Sequence, residues 1–236
     1  MAPRIDHYDW AGGRETLLRF GPDIGPVVVA ALPLFEEANR TRTFTVALLR
    51  ALASRGIAGV LPDVPGQNDS LTSLAGLTLI SMAEALGSVS DMCHAEGRRT
   101  YALGIRSGAL LDRCALPKGC WYLAPQEGPS VLRDLHRLWR AAGNSGDLAA
   151  MMYGADAVEV GGNHLSAGLL ASLSTATVFD RPGRPRRTIR LSSDPADADR
   201  KVDAAPLWRR AEPGTDPALV DLLADDLAAW IAACEA

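Results

Sequence analysis

Tyr101 to Leu111 reads Y-A-L-G-I-R-S-G-A-L-L. An apolar run, Tyr101 to Leu103, enters a Gly-x-x-x-Gly turn between Gly104 and Gly108, and an apolar segment leaves it at Ala109 with helical character. Strand, sharp turn, helix is the arrangement that lifts one side chain above the C-terminal edge of a parallel sheet and aims backbone N–H groups at an anion. The side chain at the tip is Arg106, which is no nucleophile, and Ser107 comes one place later. The stretch specifies a fold more firmly than a reaction.

The flanking sequence alternates strand and helix periods. Pro26 to Leu32, P-V-V-V-A-A-L, is a continuous β-branched run of the kind that suits a sheet covered on both faces. Thr41 to Arg55 repeats apolar residues at Phe44, Ala47, Leu48, Ala51 and Leu52, the spacing of one helical face, and Gly56 stops it. Ile57 to Leu61 supplies another buried strand, Asp63 to Ser70 is dense in turn formers, and Leu77 to Glu96 returns to helical spacing before Gly97. Thr16 to Phe20 reads as a strand of an opening hairpin. Beyond the turn, Cys120 to Ala124, Ala157 to Val160 and Thr188 to Leu191 read as strands, and Val131 to Ala142 and Ser166 to Leu173 as helices. Asp216 followed by Pro217 marks the start of a closing helix that carries Leu219, Leu223, Leu227, Trp230 and Ile231. Short connections between alternating strands and helices predict right-handed βαβ units. The expected class is α/β, a mostly parallel central sheet with helices on both faces, in one domain over 1–236 with a small lid or insertion at about 126–156.

Composition narrows the function classes. A net charge of −4 gives no general affinity for nucleic acid or anionic membranes. Met1 to Trp10 lacks the basic-then-apolar design of a signal peptide, and no apolar run reaches the ~18 residues of a membrane span, so a cytoplasmic location is expected. Cys93, Cys114, Cys120 and Cys234 lack C-x-x-C spacing, which argues for buried free thiols over a zinc or redox site. Neither G-x-x-x-x-G-K-[ST], H-E-x-x-H nor G-x-G-x-x-G occurs, so no cofactor or metal is expected. The Arg181 to Arg190 cluster reads as a solvated loop whose field Asp194, Asp197 and Asp199 largely cancel.

Three passages carry a family resemblance. P-L-F-E-E-A-N-R-T-R (Pro33 to Arg42), L-P-D-V-P-G-Q-N-D-S (Leu61 to Ser70) and G-I-R-S-G-A-L-L (Gly104 to Leu111) together resemble the α/β-hydrolase superfamily. Within it they resemble the hydrolase-like proteins associated with the exosortase A system of Gram-negative bacteria, particularly the second type. Weaker echoes follow in P-Q-E-G from Pro125 and in V-E-V-G-G-N-H-L-S from Val158. The resemblance implies a hydrolase of an ester, thioester or acyl group linked to exopolysaccharide or envelope-protein export. It places Gly104 to Gly108 at the nucleophile elbow, the Pro33 to Arg42 loop opposite, and Asp194 at the acid position. The triad departs from the superfamily pattern, because the tip is Arg106 and Leu207 to Thr215 contains no histidine.

Each candidate residue keeps two readings. Arg106 either holds an anionic substrate group or pairs with Glu36 or Glu37 and closes the pocket. Ser107 is either a displaced nucleophile, with His164 as base and Asp194 as orienter, or a residue whose hydroxyl satisfies a backbone group. Asn39 either donates toward the oxyanion region or braces its own loop. Asp194, which precedes Pro195, also reads as a turn initiator. Two functions follow. One is a hydrolase with a degenerate triad. The other is a non-catalytic protein that keeps the scaffold to bind a small-molecule, acyl or glycan-linked ligand or a partner.

Overall fold

The β-branched run after Pro26 forms β3 (Val27–Ala31), every residue of which is buried, because a strand with cover on both faces has no polar side to offer. The structure, a computed structural model, describes residues 2–154 and 156–236. Around β3 lies an eight-stranded sheet built from β1 (Arg4–Trp10), β2 (Gly13–Phe20), β4 (Ala58–Pro62), β5 (Thr100–Ile105), β6 (Gly119–Leu123), β9 (Arg186–Leu191) and β10 (Arg200–Val202). Its order is β1-β2-β4-β3-β5-β6-β9-β10. Strands from β4 to β10 run parallel, and β2 joins the sheet antiparallel to both β1 and β4. A two-stranded hairpin, β7 (Val158–Val160) and β8 (Asn163–Leu165), stands apart from this sheet.

Alternate residues of β3 face two separate cores. Val27, Val29 and Ala31 pack with α2 (Leu79–Ala95), α3 (Gly128–Ala141) and α4 (Ala167–Thr175). Val28 and Ala30 pack with α1 (Glu36–Ser54) and α5 (Pro217–Glu235). Helices therefore cover both faces, as the sequence predicts. Asp216 caps α5 by accepting from the Leu219 N–H at 3.1 Å, with Pro217 in the first turn. Among the described residues no helix is long and apolar enough to cross a membrane. Cys93 and Cys120 are buried, Cys114 and Cys234 only partly so, and all four are free thiols.

Three local expectations are corrected. First, α1 begins at Glu36 rather than Thr41, so Glu36, Glu37 and Asn39 belong to a helix and not to a loop. Phe35 makes the sharp entry with φ at 61°, and two carboxylates then fall in the first turn, where the helix dipole favours them. Second, the segment after the tip forms two 3₁₀ turns, Arg106–Leu110 and Asp112–Cys114, instead of an α-helix. Pro117 and the start of β6 at Gly119 leave it little length. Third, the opening hairpin pairs β2 with β1, and β8 and β10 are strands that the sequence does not predict. In β1 only Tyr8 is buried, and the other two have three residues each.

Candidate functional site

The turn after β5 has the geometry its glycines require. Arg106 sits at φ 53°, a left-handed conformation that costs energy in a residue with a side chain and persists where packing enforces it. A Cβ on Gly104 would lie 2.7 Å from the Ala109 Cα, and one on Gly108 would collide with the carbonyl oxygens of Ala31 and Leu32. Those close approaches fold the turn against the end of β3 and raise Arg106 at the C-terminal end of the central strands.

The raised guanidinium is held on two sides. Its Nε and Nη2 donate to Oε2 and Oε1 of Glu37 at 3.1 and 3.3 Å, a fork-on-fork pair. Its carbon lies 4.7 Å from the centre of the Trp208 ring. Glu36 pairs instead with Arg40, at 3.1 Å. Burial pushes the Glu37 carboxyl above its ordinary range; Arg106 opposes that rise, and Asp134 adds to it. Arg106, Glu37 and Trp208 line a cavity of about 430 Å³, within the size range of small-molecule sites. One wall is α3, through Val131, Leu135 and Leu138. The tip of the β7–β8 hairpin stands beside the rim, since a Cβ on Gly161 would lie 3.4 Å from Glu36 Oε1 and 3.8 Å from Leu138 Cδ1.

The other foreseen residues are dispersed. Ser107 is 2 % exposed, and its Oγ accepts the Leu34 N–H at 2.9 Å. His164 is exposed on β8, opposite Glu159. Asp194 receives Arg190 at 2.7 Å and the Ala196 N–H at 3.0 Å. Partial burial works against its ionisation, yet these donors hold its carboxyl below the ordinary value. Among the described residues no hydrogen bond joins any two of Ser107, His164 and Asp194. Neither His164 nor Asp194 lines the cavity. Asn39 is exposed on α1 and does not line it either.

Two features escaped the sequence reading. The Phe35 N–H donates to Gln67 Oε1 at 2.7 Å, so the amides of Leu34 and Phe35, which follow the central strand, are both taken by side chains. Trp208 lies in the turn Leu207–Arg209 just before α5 and reaches back over Arg106. It falls within Leu207 to Thr215, the segment in which the resemblance implies a histidine. Among the described residues no cluster of three His, Cys, Asp or Glu is arranged to hold a metal ion.

Comparison with solved structures matches this architecture along the whole chain. Est1E from Butyrivibrio proteoclasticus superposes with a TM-score of 0.65 at 15 % identity, covering 98 % of each chain. The chain has the α/β-hydrolase fold. The α/β hydrolase GrgF from Penicillium sp. sh18 is similar over 82 % of this chain and 81 % of its own, with a TM-score of 0.55 at 13 % identity. A serine hydrolase from Xanthomonas campestris matches over 53 % of this chain and 62 % of its own length, at 20 % identity and a TM-score of 0.44. No family model and no curated protein matches the sequence. At these identities the likeness carries the hydrolase fold and no activity. In catalytic proteins of this fold the tip of the turn holds the nucleophile. Here the tip carries Arg106, in contact with Trp208 from the turn before α5.

Proposed function

We propose that this α/β-hydrolase-fold protein binds a small-molecule ligand, acyl- or glycan-linked, in the cavity above Arg106 and does not cleave it. One observation supports this most: the tip carries a guanidinium, paired with Glu37 and covered by Trp208, in the place of an alcohol. Its triad is degenerate on this reading. Loss of a nucleophile or base alone lowers turnover by on the order of 10⁴-fold or more. Ser107 does not make good the loss, because its hydroxyl oxygen accepts the Leu34 N–H and, among the described residues, no histidine hydrogen-bonds to it. Further parts of the proposal rest on the sequence resemblance: a bacterial exopolysaccharide or exosortase setting and a cytoplasmic location. The chain is taken as one domain, with 126–156, of which residue 155 lies outside the described residues, as a lid; the position of α3 on the cavity wall supports that assignment.

The second reading is hydrolysis of an ester, thioester or acyl group, with Ser107, His164 and Asp194 as the catalytic set. The observation in its favour is that Ser107 lines a cavity at the C-terminal end of the sheet in a hydrolase fold. Steady-state turnover of short-chain p-nitrophenyl esters and of an acyl thioester separates the two. The binding reading expects wild type, Ser107→Ala and His164→Ala all to match buffer. Turnover abolished by either substitution would establish the hydrolase.

A further inference from the structure

We infer that the Glu37 carboxylate is a built-in stand-in for a ligand's head group, and that Arg106 receives a carboxylate-headed amphiphile when Glu37 gives way. This rests on the binding reading above and names the ligand class for the same cavity.

The contact already in place defines the head group. A carboxylate approaches Arg106 edge-on, oxygen to Nε and oxygen to Nη2, and a ligand carboxylate would reproduce the contact that Glu37 already makes, although the same fork also suits phosphates. Glu37 makes that contact from the first turn of α1, on a side chain 24 % exposed that also borders the cavity. Once it gives way, the same atoms of Arg106 are presented to whatever occupies the space.

Charge accounting around the cavity sets the ligand's valence. Arg106 is matched by Glu37 and Arg40 by Glu36. Arg137 is matched by Asp134 at 2.6 Å. Arg209, exposed in the turn before α5, lines the same cavity and, among the described residues, has no carboxylate partner. The lining thus carries one cation in excess, which attracts a monoanion. A dianionic head would set extra charge against Glu36 and Asp134. Between these pairs the wall is aliphatic, with Leu34, Val131, Leu135, Leu138 and Ala141, and this surface takes an alkyl or acyl chain.

Release of Glu37 is helped by its surroundings. Arg106 from the turn after β5 and Arg40 from its own helix favour its charge, whereas burial and Asp134 from α3 oppose it. A Glu37 displaced from Arg106 loses the counter-ion that opposes the rise, and its carboxyl is pushed further above its ordinary range.

The test is calorimetric titration of octanoate, with octanol as a neutral control of equal chain length, into wild type, Glu37→Gln, Arg106→Gln and Arg106→Lys, each first shown to unfold cooperatively. Glu37→Gln removes the competitor and is expected to bind octanoate at least about tenfold more tightly than wild type. Arg106→Gln should lose octanoate binding, Arg106→Lys should weaken it by keeping the charge without the fork, and octanol should be indifferent to all three. Equal octanoate affinity in wild type and Glu37→Gln would overturn the inference. So would undiminished binding in Arg106→Gln, although the cavity would then still be a binding site and the broader reading would stand. Absence of octanoate binding in every variant would also overturn it, while the turnover assay would judge the broader reading separately.

Discussion

Two arginine–carboxylate clusters in this molecule each include a tryptophan, and they behave in opposite ways. Asp226 on α5 accepts Trp121 Nε1 at 3.0 Å from β6, two Arg187 donors at 2.7 Å from β9, and Arg200 at 2.8 Å from β10. Its side chain is 2 % exposed, and although burial opposes the charge, Arg187, Arg200 and Trp121 hold its carboxyl at about 2. Glu37 has a single guanidinium at 3.1 and 3.3 Å, with Asp134 nearby, and its carboxyl is pushed up. Burial acts on both. Around Asp226 the donors outweigh burial, whereas at Glu37 burial outweighs the single guanidinium. A carboxylate with four strong donors is a rivet between α5 and the sheet. One with two longer donors, at the wall of a cavity, is exchangeable.

Asp226→Asn should bring the largest loss. It takes a buried carboxylate from between two partly exposed guanidinium groups, and denaturant unfolding is expected to show a loss of about 3 kcal/mol. A loss below about 1 kcal/mol would make the two clusters alike. The pH dependence comes next. The Asp226 carboxyl is lower in the folded than in the unfolded chain, so its contribution is complete above the unfolded value near 4 and disappears as pH falls toward about 2. That amounts to about 2 kcal/mol, read as the difference between the stability–pH curves of wild type and Asp226→Asn. Glu37 has the opposite sign: its carboxyl is raised by folding, so what it contributes is greatest at low pH and is lost as pH rises through the folded value. Glu37→Gln should therefore be the smallest change, within about 1 kcal/mol of wild type at pH 7. A loss as large as that of Asp226→Asn would mean that Glu37 is also structural.

The same contrast separates what the sequence could reveal from what it could not. The β-branched run at Val27 to Ala31 and the glycines at 104 and 108 each answer to a local rule, strand burial in one case and close backbone approach in the other, and both are legible residue by residue. The Asp216 cap with Pro217 is legible for the same reason. The site is made of long-range contacts. Ser107 meets Leu34, Gln67 meets Phe35 and Trp208 meets Arg106 across separations that no periodicity records. The sequence supplied both Glu36 and Glu37 as partners for Arg106. In the structure Glu36 pairs with Arg40 one helical turn on, and Glu37 reaches Arg106 across 69 residues.

The central claim is that the turn above the sheet offers a cation for binding where catalytic proteins of this fold offer an alcohol. Its most direct test is intact-mass measurement after prolonged exposure of the protein to excess fluorophosphonate. The mass should stay that of the unmodified chain. A stoichiometric adduct that maps to Ser107 and is absent from Ser107→Ala would contradict the claim.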